Sequence, residues 1–305
     1  MKVFVLAPSE DWICDRLVKE WYSNFGEFST SNPAQADVIW LMAGWCWNHL
    51  HIDLLKSKRV IVTEHHIVPD KFTQEKYINF MLRDQFVDLY HVPNSKTAEF
   101  VRKITKKPVT EICYWLNDSF WKPLDKNHER ERLGISANDF CIGSFQRDTE
   151  GFDLTTPKLE KGPDIFCDFI ENNYKDINNI HIILGGWRRQ YVQNRLKEKS
   201  IKYSLFEKAD LEKIRSLYAI CDLYVVSSRH EGGPQSIIEA AAMKVPILSS
   251  HVGIASQVLA KSCITDFKSF KIPKQEVNYN YDNVQKLAIK KIGNQYLQML
   301  FGESK

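Results

Sequence analysis

Short apolar segments rich in β-branched residues recur along this 305-residue chain, separated by segments with helical spacing. Each apolar run suits one strand, and the segments between them place apolar residues three and four positions apart. A chain that alternates in this way folds as parallel sheets covered by helices, a doubly wound α/β architecture. The predicted strands lie at 2–6, 37–42, 59–63, 88–92, 109–113, 140–145, 180–185, 201–205, 222–227 and 245–249. The predicted helices lie at 11–24, 70–85, 95–105 (with Ser95 as N-cap), 162–174, 188–199, 209–219 and 234–243.

The alternation is interrupted once, near the middle of the chain. After Asp118 a polar stretch rich in Lys, Asn, His and Glu runs to Arg132, before the next predicted strand. The length of the chain suffices for two domains with separate cores. We therefore expect Rossmann-like domains over residues 1–118 and 119–282. The tail from Asn283 to Phe301 has the apolar spacing of a further helix.

Composition argues against several classes of protein. The formal net charge of +3 is too small for a chain built mainly to bind nucleic acid. Seven scattered cysteines without a C-x-x-C pair predict neither disulfides nor a zinc site, and a reducing cytoplasm is the expected location. The most apolar run, residues 38–47, has about half the length of a membrane-spanning helix, and no signal peptide is recognised. Membrane contact is expected to be peripheral at most.

The loop after the ninth predicted strand suits a phosphate. Gly232 and Gly233 allow its backbone to approach a ligand closely, and Pro234 suits the first turn of the helix that follows. The start of that helix offers unpaired N–H groups and a positive dipole end. Glu231 in the loop and Glu239 in the helix would flank the bound anion, an arrangement that fits a sugar nucleotide whose hydroxyl groups donate to the two carboxylates. Alternatively, Glu231 is a solvated loop charge and Glu239 lies on the helix surface.

Two glutamates eight positions apart, with Gly-Gly-Pro between them and Ile-Ile-Glu-Ala at the end, resemble the donor-site signature of the family 4 retaining glycosyltransferases. This resemblance implies the GT-B fold, with a cleft between two Rossmann-like domains and a last helix, about 283–302, that crosses back onto the first. It also implies transfer of a sugar from a nucleoside diphosphate sugar to an acceptor hydroxyl, with retention at the anomeric carbon. No cofactor is implied, and no metal, since an Asp-x-Asp signature is absent. The resemblance covers residues 140–260 most closely and 59–118 more loosely.

The resemblance assigns cations to the carboxyl ends of strands, where ligands of parallel sheets bind. Arg147 follows the sixth predicted strand and Lys161 precedes the next helix, at positions where the family binds the donor diphosphate. Lys158 is an alternative to Lys161. Fixed cations there would stabilise the charge that develops on the leaving diphosphate. In the simpler interpretation they are surface residues.

The turn after the seventh predicted strand has two interpretations. Gly185 and Gly186 match a family turn beside the nucleotide base, but a purely structural turn is equally expected. Arg188 and Arg189 open the next helix, where they either contact the nucleotide or are solvated.

Two histidines follow the third predicted strand. Thr63-Glu64-His65 matches the family's Thr-x-His, which implies that His65 contacts the donor sugar or the acceptor across the cleft from the donor loop. His66 points the other way on an extended chain and is expected to pack locally. Structural roles for both histidines are the alternative. Residues 7–12 contain no glycine, unlike the family's loop, so the acceptor side is expected to differ.

Tryptophans are concentrated at the start of the chain. Trp12 and Trp45 follow predicted strand ends, where an aromatic face could stack on an acceptor sugar. Packing in the core or at a domain interface is the favoured interpretation for both, and a core position is expected for Trp21 and Trp40.

The predicted site therefore has two groups of residues and no metal ligand. The catalytic group is Glu231, His65, Arg147 and Lys161; the donor-binding group is Glu239, Gly232, Gly233, Pro234, Gln235, Ser236, Gly185 and Gly186. The expected partners are a nucleotide sugar, with UDP, GDP and ADP all open, and a glycan, lipid-linked or small-molecule acceptor. A sugar-nucleotide epimerase or hydrolase on the same fold, and a non-catalytic nucleotide-sugar-binding subunit, are the alternatives.

Overall fold

The protein, described by a computed structural model over residues 1–11, 13–174, 178–268 and 276–302, consists of two α/β units. The first unit comprises Met1–Asn117 and the segment from Leu287 onward, and the second comprises Asp118–Lys286. The division expected from the sequence lies one residue further along, between 118 and 119. Among the helices of the described ranges, none has both the length and the apolar character needed to cross a bilayer.

In the described part of the chain, strands alternate with helices, and three α-helices follow the last strand. The strands are β1 (Val3–Leu6), β2 (Val38–Leu41), β3 (Arg59–Thr63), β4 (Leu89–Val92), β5 (Val109–Glu111), β6 (Phe140–Ser144), β7 (Ile180–Gly185), β8 (Tyr203–Phe206), β9 (Leu223–Val226) and β10 (Ile247–Ser249). The helices are α1 (Ile13–Phe25), α2 (Ile52–Ser57), α3 (Gln74–Asp84), α4 (Ser95–Ile104), α5 (Lys126–Leu133), α6 (Pro163–Tyr174), α7 (Gln190–Glu198), α8 (Leu211–Ile220), α9 (Gln235–Ala242), α10 (Ala255–Val258), α11 (Val277–Gln285) and α12 (Ile289–Phe301).

The first unit is built on a parallel sheet in which β1 to β5 lie side by side in chain order. Successive residues of each strand point to opposite faces, and different helices cover the two faces. On one face Ile39 and Leu41 pack with apolar residues of α2, α3 and α4. On the other face the ring of Trp40 lies 5.2 Å from that of Trp21 in α1 and 5.6 Å from that of Tyr296 in α12. The expected packing of the last helix on the first domain is therefore confirmed, as are the core positions of Trp21 and Trp40.

The tail forms two helices, where the sequence predicts one from Asn283 to Phe301. The backbone between α11 and α12 pairs with Leu116, whose N–H donates to the Leu287 carbonyl (2.8 Å) and whose carbonyl accepts from the Ile289 N–H (2.9 Å). Because these groups bond to a distant residue, they cannot continue a helical ladder. The prediction of a single helix is wrong at this point.

The second unit contains a five-stranded parallel sheet in the order β10-β9-β6-β7-β8. β7 and β8 lie on one side of β6, and β9 and β10 lie on its other side. The pairing of Ile142 with Leu223 and of Gly143 with Tyr224 sets β6 beside β9. Ligands of open α/β sheets bind at the carboxyl ends of strands where the order reverses. The loops that follow β6 and β9 lie at this position.

All ten predicted strands are present within two residues at each end, whereas α5 falls in the stretch that the sequence assigns to a linker. The Asp125 side chain caps α5 by accepting from the His128 N–H (2.7 Å), and Gly134 ends it with a φ of 67°. The residues of α5 are mostly charged, so the apolar spacing that marks the other helices is missing.

The cap of α4 also differs from the prediction. Asn94, not Ser95, is the N-cap, because the Asn94 side chain accepts from the Thr97 N–H (2.9 Å). Ser95 is the first residue of the helix. Both residue types are good caps, so the sequence alone does not separate them.

Candidate functional site

A polar network joins the loops after β6 and β9 to the segment before α6. Ser228 Oγ lies 3.1 Å from Gln146 Oε1 and 3.0 Å from Glu231 Oε1. Gln146 Nε2 donates to the Lys161 carbonyl (2.7 Å), and Lys161 Nζ lies 2.7 Å from Glu231 Oε2. We call Gln146, Lys161, Ser228 and Glu231 the switch-point network, because it lies where the strand order reverses.

The ion pair in the switch-point network is largely shielded from solvent. The Lys161 and Glu231 side chains are 19% and 11% exposed. Charges in such a position attract one another more strongly than those of a solvated pair. The alternative that Glu231 is a solvated loop charge is therefore wrong, and the structure brings two of the predicted catalytic residues into direct contact.

Gly162 explains how Lys161 reaches this position. Its φ is 61°, and a Cβ added there would lie 1.9 Å from the Ser227 carbonyl oxygen. Ser227 Oγ in turn donates to the Gly162 carbonyl (2.7 Å). Only glycine allows the segment before α6 to lie directly on the end of β9.

A second ion pair, which the sequence did not indicate, ties the loop after β9 to α6. The Arg229 guanidinium donates two hydrogen bonds to the Asp164 carboxylate (2.8 and 2.6 Å). The backbone N–H of Arg229 donates to the Glu160 carbonyl (2.8 Å). Burial opposes ionisation of Asp164, but the hydrogen bonds from Arg229 outweigh it and lower the pKa of the carboxyl. Such two-fold pairing fixes direction as well as distance.

Two further cations, Lys158 and Arg147, form a cluster with Lys161 of the switch-point network. Lys158 Nζ is 3.5 Å from Glu160 Oε1, and the pKa of Lys158 is lowered by burial and by the neighbouring charges of Lys161 and Arg147. The Arg147 guanidinium donates from Nε to the Thr149 carbonyl (2.8 Å) and lies 5.4 Å over the Trp187 ring. Lys161 and its alternative Lys158 thus belong to one cluster with Arg147.

The helix start after the glycines is positioned slightly differently from the prediction. Pro234 is the N-cap of α9, with an extended ψ of 139°, and the helix begins at Gln235. Gly232 and Gly233 are buried, and a Cβ added at Gly253 would lie 2.6 and 2.7 Å from their carbonyl oxygens. Gly253 is thus a further residue that shapes this loop, and it lies too far along the chain for a local motif to reveal it.

Glu239 is buried beneath the loop. Only 5% of it is exposed, and its Oε2 accepts from the Tyr218 hydroxyl (2.9 Å). Burial, followed by the Glu239 charge, raises the pKa of Tyr218 well above 10, so this phenol remains a donor. Ser236 hydrogen bonds Tyr224, whose pKa burial raises to about 12. The alternative that Glu239 lies on the helix surface is wrong.

Gly185 and Gly186 have separate structural roles. A Cβ added at Gly185 would lie 2.9 Å from Phe145, which packs its ring 4.9 Å from that of Tyr218 and 5.1 Å from that of Tyr224. Gly186 has a φ of 90°, which side chains rarely adopt, and open space where its Cβ would lie. Gly185 makes room for packing, and Gly186 makes the turn.

His65, in the first unit, has partners at both ring nitrogens. Nε2 lies 2.7 Å from the Met42 carbonyl, which can only accept, so Nε2 carries the proton and Nδ1 accepts from the Tyr114 hydroxyl. Cys14 Sγ is a further neighbour, 3.3 Å from Nε2. Burial lowers the pKa of His65 to about 4, so the imidazole is neutral near pH 7.

Trp45 is not a core residue. It is 51% exposed, its ring lies 6.0 Å from that of His65, and its Nε1–H donates to Glu10 Oε1 (3.0 Å). A core position, one half of the favoured interpretation, is therefore wrong for Trp45. Trp12 lies outside the described residues.

Within the described ranges, no three His, Cys, Asp or Glu side chains are grouped so that they could hold a metal ion.

Residues 157–263 match the family Glycosyl transferases group 1. The matched segment lies within the second unit. The matched segment contains Lys161, Glu231 and Glu239, whereas Arg147 precedes it. The match to this family therefore includes both glutamates of the signature and the ion pair of the switch-point network.

A curated relative of this chain is the alpha-galactosylglucosyldiacylglycerol synthase of Streptococcus pneumoniae, which is 27% identical over 170 residues. The alignment covers 51% of this chain and 41% of the synthase, so the chain spans less than half the length of that relative.

Two solved structures share the fold of the whole chain. Anabaena HepE, in complex with UDP and glucose, has a TM-score of 0.78 at 13% identity, with 98% of both chains covered. WaaG, a glycosyltransferase involved in lipopolysaccharide biosynthesis, has a TM-score of 0.70 at 12% identity, with 99% of this chain and 100% of WaaG covered. The GT-B fold that the sequence predicts is therefore confirmed.

Proposed function

We propose that this chain is a retaining glycosyltransferase of the family 4 type that transfers a sugar from a nucleoside diphosphate sugar to an acceptor hydroxyl without a metal ion. The observation that carries the proposal is the shielded contact between Lys161 and Glu231 at the carboxyl ends of β6 and β9. This edge is where an open α/β sheet binds its ligand. A fixed cation beside a fixed carboxylate suits a ligand that presents both phosphate and sugar hydroxyls.

The cation cluster supports the departure of a diphosphate. Breaking the bond from the anomeric carbon to the diphosphate oxygen leaves negative charge on that oxygen. Arg147, Lys161 and Lys158 supply positive charge in a partly buried position, where it stabilises the developing charge more than a solvated cation would. The start of α9 adds a positive dipole end on the same loop.

The two glutamates have different roles in the proposal. Glu239 is held by Tyr218 beneath the loop and accepts from hydroxyls of the ribose. Glu231 is held by Lys161 and Ser228 in the loop itself and orients the transferred sugar. Because their surroundings differ, substitution of the two should change different steps.

The first unit supplies the acceptor side in this proposal. His65 is neutral and both of its ring nitrogens are bonded within the protein, so it contacts the sugar through its ring edge and not as a cation. The exposed face of Trp45, with its N–H held by Glu10, provides a flat apolar surface on which a sugar ring of the acceptor can stack.

The test begins with a thermal-shift panel of UDP, GDP, ADP and their sugars. A ligand that binds only the native state, at a hundred times its dissociation constant, raises the free energy of unfolding by about 2.7 kcal/mol. The donor found in this way is then incubated with and without glycan, glycolipid and small-molecule acceptors. Transfer with retention, seen by NMR of the product, supports the proposal. Full turnover without an acceptor would indicate an epimerase or hydrolase, and binding without turnover would indicate a binding subunit.

A further inference from the structure

Arg189 is fully buried at the carboxyl edge of the second sheet. Its Nε donates to Asp148 Oδ2 (2.7 Å), and its Nη2 donates to Ser144 Oγ (3.1 Å). Its Nη1 donates to the carbonyls of Gly185 (2.7 Å) and Ser144. One guanidinium therefore joins the ends of β6 and β7 to the loop that follows β6. The sequence did not indicate this, since Arg189 was expected to contact the nucleotide or to be solvated.

Stability alone does not account for a charge pair in this position. The Arg189 and Asp148 side chains are 0% and 1% exposed, and both charges lose their hydration on folding. The attraction within a buried pair commonly does no more than offset that loss, and apolar residues of similar volume often serve stability equally well. What the pair does provide is a fixed geometry for the chain segments that it joins.

The segment that Asp148 fixes is the one that holds Arg147. Asp148 Oδ1 accepts from the Thr149 hydroxyl (2.7 Å), and the amides of Asp148 and Thr149 both donate to the Arg188 carbonyl (3.2 Å each). The Thr149 carbonyl then accepts from Arg147 Nε (2.8 Å). Among the described residues, Arg147 forms hydrogen bonds only through this Nε. Its two Nη groups are therefore left to bind a ligand.

We propose that Arg189 and Asp148 are positioning residues that hold Arg147 in place to bind the diphosphate of the donor. The inference rests on the proposed function, since it assigns Arg147 to the diphosphate. Arg189 acts through Asp148 and the Thr149 carbonyl and does not touch the ligand. Specific alignment of a guanidinium with two phosphate oxygens depends on direction, so loosening its anchor should weaken that contact in particular.

The test compares a nucleoside diphosphate with its own nucleoside. UDP, GDP and ADP are measured by calorimetry with the full-length protein, and the tightest of the three is compared with uridine, guanosine or adenosine accordingly. Asp148→Asn keeps the size of the side chain and removes its charge. It should lower the affinity for the nucleoside diphosphate about tenfold, the usual scale for a hydrogen bond to a charged group, and change the affinity for the nucleoside less than about twofold. Thr149→Val removes the hydroxyl that Asp148 accepts from and should act in the same direction.

A double-mutant cycle separates positioning from a general effect on folding. Because Asp148 acts through Arg147, adding Asp148→Asn to Arg147→Ala should not lower the affinity for the nucleoside diphosphate any further. The matched control is Asp222→Asn, which breaks the pair of Arg130 and Asp222 (2.6 Å) at the amino ends of β6 and β9. That variant should lower Tm and leave the ratio of diphosphate to nucleoside affinity unchanged.

Several results would overturn the inference. Equal weakening of diphosphate and nucleoside by Asp148→Asn would contradict it, as would additive effects of Asp148→Asn and Arg147→Ala. If Asp148→Asn does not fold, the same comparisons are made with Thr149→Val, and an unchanged ratio there would contradict the inference. Failure of all three nucleoside diphosphates to bind the wild-type protein would instead overturn the proposed function, and this inference with it.

Discussion

Lys161 and Glu231 lie 70 positions apart in the chain, yet Lys161 Nζ is 2.7 Å from Glu231 Oε2. The contact exists because β6 and β9 are neighbours in the sheet although they are not consecutive in the chain. Gly162 lets the segment that carries Lys161 rest on the end of β9, and Ser228 holds the other oxygen of the carboxylate. The strand order, and not the local sequence, brings the cation and the carboxylate together.

Glu239→Ala is expected to weaken binding of the nucleoside itself. Removal of the carboxylate eliminates the partner proposed for the ribose, and a lost hydrogen bond to a charged group corresponds to about tenfold or more in affinity. Arg147→Ala should instead weaken the diphosphate and spare the nucleoside. Calorimetry with both ligands distinguishes the two variants, and an identical profile for them would contradict the separate roles.

Transfer is expected to continue in the presence of EDTA. In the proposed mechanism the cations of Arg147 and Lys161 balance the charge of the leaving diphosphate. Loss of either should slow transfer ~100-fold, a common cost of removing one such electrostatic donor. Rates measured with and without EDTA test the first expectation. Activity that disappears with the chelator and returns with manganese or magnesium would contradict it.

Much of this architecture could be predicted from the sequence. The strands were recognisable because buried parallel strands need continuous β-branched runs. The loops around Arg147 and Glu231 could be singled out because each follows such a run. The buried residues that hold the site could not be identified in this way. Tyr218, which donates to Glu239, and Arg189, which donates to Asp148, lie in predicted helical segments that resemble many others. In particular, Arg189 resembles a solvated residue at the start of a helix, and only the fold shows that it is fully buried.

The free energy of unfolding is expected to fall between pH 7 and pH 5, in part because of His91. Its Nε2 lies 2.9 Å from the Ile112 carbonyl, and burial lowers the pKa of His91 from 6.5 to about 4. The unfolded chain therefore takes up a proton in this range that the folded protein does not, which removes about 2 kcal/mol of stability. In urea titrations, the free energy of unfolding of His91→Gln should fall correspondingly less between pH 7 and pH 5. Equal pH dependence in both proteins would contradict the assignment.

Trp45→Ala is expected to raise KM for the acceptor and to leave KM for the donor unchanged. Half of the Trp45 surface is exposed, so the substitution should change Tm little. Loss of an aromatic contact of this kind corresponds to about three- to tenfold in affinity. Tyr279→Ala, which removes another exposed aromatic residue in the second unit, is the matched control. An unchanged acceptor KM would remove Trp45 from the acceptor site.

Turnover of Glu231→Gln tests the central claim most directly. The substitution keeps the size of the side chain and removes the carboxylate charge proposed to orient the transferred sugar, so kcat should fall ~100-fold while nucleoside diphosphate affinity changes less than about threefold. Glu171→Gln is the control, because Glu171 pairs with Arg195 (2.7 Å) and has no role in the proposed site. Wild-type turnover for Glu231→Gln, in a protein that folds and binds nucleotide normally, would contradict the account.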